Sequence, residues 1–221
     1  MVPLKSAGVA RVLLWLLRIL LALTVIETIL KLIVIALPTT PPIITALQHL
    51  LTVPWVIVPL IVIALALPLL SLVWIYRLHD DLNQCYISYP IDAWDALARF
   101  ILPGYNIWGI WNTLITIARH FQAEKGRLRR YGLLLHHLVR VMYGIFIALY
   151  LLDQLRYRDE GLARIEPIIN IPDSLIPVAI AGKELLGLGG GFVLLAITQT
   201  IVNAMQLKVH QINHAEETTH L

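Results

Sequence analysis

Glu27 and Lys31 stand four positions apart inside an apolar run near the N-terminus, where ionisable side chains are rare. A glutamate four residues before a lysine favours an ion pair on one face of a helix. Charges inside a bilayer are costly, and they are retained where they move ions or protons or where they hold helices together. The two residues therefore predict either an ion path with Glu27 as the carrier or a neutralised pair that stabilises a helix bundle.

A second group of ionisable side chains opens a later apolar run: His136, His137 and Arg140. Arg140 needs an anion, and Glu27 is the carboxylate expected deep in the membrane, so we expect Glu27 to be shared by Lys31 and Arg140. An outside carboxylate or a lipid phosphate is the alternative partner of Arg140. Histidine also ligates haem and chlorophyll, and His136 or His137 is placed for one such bond. We expect no cofactor, with haem or chlorophyll as the alternative.

Polar and small residues recur with helical spacing in the later apolar runs. In the last run the polar positions are Gln199, Asn203 and Gln206. Such a line can border a cavity, dock a partner or simply pack inside the protein. Gly187 and Gly191 form a small-xxx-small step that allows close helix approach, and Gly144 offers another in the preceding run. A loosely wound helix start is the alternative for the glycines.

Sequence signatures of catalysis are absent. The 221 residues contain no His-Glu-x-x-His, Gly-x-Ser-x-Gly, Walker or dinucleotide-binding pattern. The single cysteine, Cys85, excludes an intrachain disulfide and a metal site built from cysteines alone. His79, Asp80 and Asp81 follow an apolar run and are interpreted as a charged helix end at the membrane interface. We therefore expect no catalytic residue and no metal site.

The composition places all these residues in an integral membrane protein. Hydrophobic residues make up 58% of the chain and charged residues 14%, and the mean hydropathy is +0.77. A helix needs about 20 apolar residues to cross roughly 30 Å of hydrocarbon. Four runs are long enough: residues 12–37, 53–76, 133–152 and 185–205. The sequence therefore predicts an all-α protein with four transmembrane helices in a single membrane domain, the first of them an uncleaved signal anchor.

A fifth stretch, residues 92–120, is apolar and rich in tryptophan, but a basic connector follows it. If this stretch crossed the membrane, the connector would lie opposite Arg77 and Arg99, against the positive-inside rule. Pro103 and Gly104 divide it into two amphipathic pieces. We therefore predict a re-entrant or interfacial helical hairpin, with a fifth span as the alternative. Its expected interface residues are Trp94, Pro103, Asn106, Trp108 and Trp111.

Positive charge sets the expected orientation. Both termini, including the tail at residues 206–221, are expected in the cytoplasm, and the acidic loop at residues 153–184 is expected outside. Three arginines of the connector, Arg127, Arg129 and Arg130, fit anionic lipid headgroups, an acidic partner protein or topogenic charge alone. Because the basic residues lie in short segments beside apolar runs, we expect no nucleic acid partner.

From about Leu72 to Ile212 the chain carries the motifs "LVWIYRLHDDLN", "WDALARFILPGYNIWGIWNTL" and "AITQTIVNAMQLKVHQI". In this order they resemble the bacterial membrane proteins grouped as domain of unknown function 4328. The Pro-x-x-Asn-x-Trp core of that family is matched by Pro103, Asn106 and Trp108. The long acidic loop and a weak match to the tryptophans of the family's fourth segment depart from the pattern. The resemblance implies several spans around a Trp-rich segment and no particular activity.

The expected function is non-enzymatic. Small-residue helix faces, an aromatic hairpin available for docking and the lack of a complete catalytic or transport pattern favour an accessory, assembly or regulatory subunit of another membrane-protein complex. A small ion or solute transporter using Glu27 and the polar line of the last helix is one alternative, and a haem or chlorophyll carrier is another. We expect a bacterial plasma membrane, with a photosynthetic internal (thylakoid) membrane as the alternative.

Overall fold

The structure is a computed structural model that describes residues 4–37, 54–102, 106–156 and 175–219. In these ranges six helices follow one another and no strand occurs. The helices are α1 (Ala7–Ala36), α2 (Pro54–Cys85), α3 (Ala93–Ile101), α4 (Asn106–Ala123), α5 (Arg127–Arg156) and α6 (Ile176–Thr219). The all-α class predicted from the sequence is confirmed.

Four helices of the described part are long and apolar enough to cross a membrane. The apolar segments are Ala7–Ala36, Val58–Cys85, Arg127–Asp153 and Pro177–Ala215. The shortest has 27 residues and rises about 40 Å at 1.5 Å per residue, which exceeds the roughly 30 Å of a hydrocarbon core. The chain is therefore a membrane-embedded protein with four apolar helices, as its hydropathy predicts.

The long helices extend beyond the apolar runs that predict them. α5 continues to Arg156 and α6 begins at Ile176, so residues 153–156 and 176–184, which hydropathy places in the outside loop, are helical. Hydropathy detects only the part of a helix that suits hydrocarbon, whereas the backbone hydrogen bonds continue into the polar flanks. The rest of that loop, residues 157–174, lies outside the described residues.

The predicted hairpin segment is occupied by α3 and α4. α3 has 9 residues and α4 has 18, and neither is among the helices apolar enough to span. Pro103, which was expected to break this segment, lies between them and outside the described residues. A short helix, a break and a second helix agree with the predicted hairpin rather than with one continuous fifth span.

The chain divides into two compact units. Unit 1 comprises Met1–Leu17, Ile63–Arg140 and Leu195–Leu221, and unit 2 comprises Arg18–Val62 and Val141–Leu194. Each of the four long helices contributes to both units, whereas α3 and α4 belong wholly to unit 1.

Unit 1 contains an apolar core built around α4. Ile117, Ala118 and Phe121 of this helix are fully buried. Fully buried residues of α2, α5 and α6 surround them, including Leu78, Leu82, Leu128, Leu135, Val139, Ile201 and Ala204. Truncating a buried phenylalanine to alanine costs about 3–5 kcal/mol in typical cores. The hairpin helix α4 is thus part of the core and not an appendage.

Unit 2 buries few side chains. Its buried residues among those described are Leu21, Thr28, Leu30 and Met142. Large apolar side chains of the same unit are exposed, including Ile26, Phe146, Ile147 and Phe192. Lipid tails are as apolar as these side chains, so an outward apolar surface is solvated by a bilayer. Unit 2 therefore has the surface of a lipid-embedded bundle.

Candidate functional site

α3 is a short helix with defined ends. The Asp92 carboxylate accepts a hydrogen bond from the Asp95 N–H at 2.6 Å, and the Leu102 N–H donates to the Ala98 carbonyl. Within the helix, Arg99 Nη2 lies 2.6 Å from Asp95 Oδ2. An N-cap typically contributes about 1 kcal/mol, and a helix of this length needs such support because short helices are marginal.

α4 crosses α3 where Gly109 meets Arg99. A Cβ at Gly109 would lie 2.8 Å from the Arg99 Cβ and 2.9 Å from the Arg99 carbonyl oxygen. Any side chain would collide with this backbone, so the crossing requires glycine. Gly109 therefore sets how closely the two helices of the hairpin pack.

α5 packs equally closely against α4 at Gly132. A Cβ there would lie 2.6 Å from the backbone nitrogen of Gln122 and 2.7 Å from the Ala118 carbonyl oxygen. The Gln122 side chain donates a hydrogen bond to the Gly132 carbonyl at 3.1 Å. Two glycine contacts thus bring α4 directly against α3 and α5 in unit 1.

The outer side of the hairpin is aromatic and apolar. Trp94 is 69% exposed and Trp108 is 66% exposed. Three further residues with more than half of their surface exposed accompany them: Ile101, Leu102 and Ile107. Trp94 also contacts Tyr76 edge to face, with ring centroids 5.2 Å apart. We refer to Trp94, Ile101, Leu102, Ile107 and Trp108 as the hairpin surface.

Two other predicted hairpin residues have different positions. Trp111 is half-buried, so it contributes less to the outer side than Trp94 or Trp108. Asn106 begins α4, but its side chain is not among those described. An exposed tryptophan ring can enter an apolar phase while its indole N–H stays at a polar boundary.

Histidine and tyrosine rings alternate in a row inside unit 1. His79 of α2 contacts Tyr89 with ring centroids 5.7 Å apart. Tyr89 contacts His120 of α4 at 4.9 Å, and His120 contacts Tyr86 at 5.6 Å. The row joins α2 and α4 through the segment that precedes α3. No sequence motif marks this row, because its members are spread over residues 79–120 and α3 lies between Tyr89 and His120 in the chain.

Lys208 connects α6 to the end of this row. Its ammonium lies 4.8 Å from the centre of the Tyr86 ring, and it forms an ion pair with Glu124 at the end of α4. A cation over an aromatic face stabilises by about 0.5–1 kcal/mol or more when partly desolvated. α2, α4 and α6 therefore share one polar and aromatic contact region in unit 1.

Buried polar atoms of this region lack a hydrogen-bond partner among the described residues. His79 Nδ1 lies 2.8 Å from the Ile75 carbonyl oxygen, so Nδ1 carries the proton and the unpartnered Nε2 is an acceptor. The Tyr89 hydroxyl and the Nε and Nη1 atoms of Arg99 are unpartnered donors. Such groups are uncommon in protein interiors, and here donors and an acceptor occur in the same region.

Burial keeps both tyrosines of the row neutral. It raises the pKa of Tyr89 far above the ordinary value, and the positive charge of Arg99 opposes this shift only in part. Burial also raises the pKa of Tyr86, and the Glu124 carboxylate adds to the rise. Neither phenol ionises at physiological pH, so the tyrosines add no negative charge beside Lys208.

The start of α1 is fixed by the end of α2 within unit 1. The Asp81 carboxylate accepts hydrogen bonds from the backbone N–H groups of Lys5 at 3.0 Å and Ser6 at 2.9 Å. Asp80 pairs with the Lys5 ammonium at 2.7 Å, and this hydrogen bond raises the pKa of Lys5. His79 is 0% and Asp81 2% exposed. The charged helix end that the sequence predicts at the membrane interface therefore includes two buried residues, and its place at the interface stays a prediction.

Lys31 bridges two helices of unit 2. Its Nζ lies 2.9 Å from Glu27 Oε1 in α1 and 3.0 Å from Glu184 Oε1 in α6. The preceding residue of α6, Lys183, pairs with Asp153 of α5. Charged contacts thus join α1, α5 and α6. The Glu27 side chain is 56% exposed, so its carboxylate is on the outside of the unit and not in its interior.

The predicted ligands and cation of α5 lie in unit 1. His137 and Arg140 are exposed, whereas His136 is half-buried and its Nδ1 has no partner among the described residues. The pairing of Arg140 with Glu27 joins residues of different units and stays a prediction, as does cofactor ligation by His136 or His137. Within the described ranges, no group of three or more His, Cys, Asp or Glu residues is placed to hold a metal ion.

The three glycines predicted to mediate helix packing differ in their surroundings. A Cβ at Gly191 would lie 3.0 Å from Leu21 Cδ1, so Gly191 contributes to the contact of α1 with α6 in unit 2. A Cβ at Gly144 or Gly187 would meet no described atom within 4 Å. These two positions are open to a lipid or a partner helix.

Other predicted polar positions are also accessible in part. Gln199 donates a hydrogen bond to Asn203 at 2.9 Å, so these two side chains partly satisfy each other. Gln206 is exposed, and it borders a cavity of about 10 Å³ between α1, α2 and α6 in unit 1, room for one water molecule. The basic residues in the first turn of α5 are all exposed: Arg127, Arg129 and Arg130.

No protein-family model, curated protein or solved structure matches this chain. Its resemblance to domain of unknown function 4328 stays a prediction.

Proposed function

We propose that this chain is a non-enzymatic accessory, assembly or regulatory subunit of another membrane-protein complex, and that it docks through the hairpin surface. The observation that carries the proposal is the contrast between the two sides of the hairpin. On the inner side, Gly109 and Phe121 are locked into the core of unit 1. On the outer side, Trp94 and Trp108 are exposed.

The chemistry of this surface suits a protein partner. Tryptophan is enriched among the residues that contribute most to binding at protein interfaces. Because Gly109 and Gly132 hold the hairpin in place, docking needs little further ordering of the backbone, which favours affinity. The matching partner is an apolar surface at the membrane boundary that carries acceptors for the indole N–H groups.

The proposal includes a position in the membrane. α3 and α4 form a re-entrant or interfacial hairpin, both termini are cytoplasmic, and the exposed arginines at the start of α5 meet anionic headgroups. The host membrane is a bacterial plasma membrane, with a thylakoid as the alternative. Labelling of Arg129→Cys by a membrane-impermeant maleimide, in a Cys85→Ser background, from the cytoplasmic side alone would support this orientation. Labelling from outside alone would reverse it.

Transport through Glu27 is less well supported. A carrier carboxylate is expected to face a cavity or a neighbouring helix, whereas Glu27 lies on the outside of unit 2 and is paired with Lys31. A charged pair on a lipid-facing surface is stabilised when another protein covers it. The position of Glu27 therefore fits the accessory role better than the transport role.

The test is extraction from the native host in mild detergent, followed by native gel electrophoresis and mass spectrometry of the band. We expect a band well above the 24.9 kDa of the chain with defined partners. Trp94→Ala combined with Trp108→Ala should release them. The matched control is Trp15→Ala, because Trp15 is 60% exposed on α1 and lies away from the hairpin in sequence.

Two results would contradict the proposal. One is that the unaltered protein runs as a colourless monomer or small homo-oligomer. Transport would then be the leading function, and the next assay would be ion or solute flux in liposomes. The other is an unchanged complex in the double tryptophan variant. A visible absorption band would instead support haem or chlorophyll at His136 or His137.

A further inference from the structure

His210 and His214 lie one turn apart near the end of α6, and both are exposed. Their Nε2 atoms are 3.2 Å apart. The ring centroids are 4.3 Å apart and the ring planes make an angle of 85°. Residues at i and i+4 are neighbours on one face of a helix, and in this pair two ring nitrogens lie close to each other.

The separation of the two nitrogens suits joint ligation of one metal ion. Zinc bonds to imidazole nitrogen are about 2.0–2.1 Å long, so two such nitrogens lie roughly 3.3 Å apart at a tetrahedral angle and roughly 2.9 Å apart at a right angle. The observed 3.2 Å falls between these values. We propose that His210 and His214 form a chelating site for a first-row transition-metal dication.

The ligand type limits which ions fit. Imidazole suits Zn²⁺, Cu²⁺ and Ni²⁺, whereas Mg²⁺ and Ca²⁺ prefer oxygen ligands. For a site of this kind Cu²⁺ binds more tightly than Zn²⁺. No group of three or more ligand side chains occurs in the part of the chain that the structure describes. Within that part of the chain, His210 and His214 are the two ligands that the site offers.

The nearest positive charge in α6 repels a bound metal ion only weakly. Lys208 precedes His210 by two positions, but its ammonium is paired with the Glu124 carboxylate. The competing explanation of the ring geometry is a hydrogen bond between two neutral histidines, one of which donates from Nε2 to the other. The two explanations differ in a measurable way, because only the first gives stoichiometric metal binding.

The test uses the untagged, full-length protein in detergent, treated with a chelator to remove metal. Isothermal titration with ZnCl₂ should show one ion per chain, with tighter binding of CuCl₂ and none of MgCl₂. The key variant combines His214→Ile with Ile212→His, which keeps the composition but moves the second imidazole to another face of the helix. We expect its Zn²⁺ affinity to fall by about tenfold or more, because the second ligand no longer acts intramolecularly.

A second readout identifies the ligands. Copper paramagnetic resonance should show coupling to two nitrogens in the unaltered protein and to one in the exchanged variant. His137→Ala removes an exposed histidine from α5 and should leave Zn²⁺ binding unchanged. Equal Zn²⁺ affinity in the unaltered and exchanged proteins, or no binding by the unaltered protein, would overturn the site. Circular dichroism of each variant verifies that the helices are retained.

Discussion

Asp81 accepts a hydrogen bond from the backbone N–H of Ser6 at 2.9 Å, although the two residues are 75 positions apart in the chain. Both are buried, Asp81 at 2% and Ser6 at 4% exposure. The acceptor at the start of a helix is usually the residue that immediately precedes it. Here a carboxylate of α2 accepts from the N–H groups of Lys5 and Ser6, which precede the first helical residue of α1. We call this tertiary contact the cap of α1.

Asp81→Ala should therefore lower the free energy of unfolding by about 1–3 kcal/mol, because two backbone N–H groups lose their buried acceptor. The measurement is unfolding by a rising fraction of SDS in detergent micelles, followed by tryptophan fluorescence. Asp80→Ala is the matched control. The Asp80 carboxylate pairs with the exposed side chain of Lys5. Asp80→Ala should therefore leave the free energy of unfolding unchanged. Equal losses in both variants would argue against the cap.

Gly109→Ala and Gly132→Ala should each destabilise by about 1–3 kcal/mol, since overpacking at a helix crossing forces the backbones apart. Gly144→Ala is the control, because a Cβ there meets no described atom within 4 Å. This control should be neutral or stabilising by up to about 1 kcal/mol, owing to the higher helix propensity of alanine. The same SDS titration distinguishes the three variants, and indistinguishable midpoints would contradict the close packing of α4.

Alkaline pH should destabilise the protein through Tyr86 and Tyr89. Burial raises the pKa of both in the folded state, whereas tyrosine in an unfolded chain ionises near about pH 10. The stability linked to this difference is fully present below about pH 10 and declines as the pH rises towards the folded-state pKa. Unfolding measured on both sides of about pH 10 should show this fall.

The exchange Tyr89→Phe should make the alkaline loss of stability smaller. Tyr150→Phe provides the control, because Tyr150 is 64% exposed and its exchange should give the wild-type slope. If Tyr89→Phe and the unaltered protein lose stability at the same rate with pH, the buried phenol of Tyr89 is not the cause.

Lys31 and Glu184 should be energetically coupled, since their ion pair joins α1 to α6 within unit 2. A double-mutant cycle with Lys31→Met and Glu184→Gln is expected to give a coupling of about 0.5–1 kcal/mol, a modest value for a partly exposed pair. A coupling near zero would show that the pair does not hold the helices together. A parallel cycle with Glu27→Gln and Arg140→Met tests the pairing predicted from the sequence.

Local patterns in the sequence predict much of this fold. Apolar runs locate the four long helices. A segment that enters lipid must satisfy its own backbone hydrogen bonds, and a helix does so within the segment. The i,i+4 spacing predicts the contact of Glu27 with Lys31, and the structure contains this ion pair. Each of these predictions depends on residues close together in the chain.

Contacts between distant segments are not predictable in this way. Gly109 and Gly132 are structural only because particular helices cross at them, and Asp81 is a cap only because α1 begins beside it. The contact of His210 with His214 is predictable only in part. Their spacing is visible in the sequence, but the close approach of their nitrogens depends on the side-chain rotamers.

The cap at the start of α1 also sets an order of events during synthesis. Chains grow at about 5–20 residues per second, so Asp81 is added roughly 4–15 s after Ser6, given the 75 positions between them. During that interval α1 meets the translocation machinery and the lipid without its carboxylate acceptor. The backbone N–H groups of Lys5 and Ser6 can reach this acceptor only after the second apolar helix has been made, so the N-terminal end of the first helix reaches its final position late.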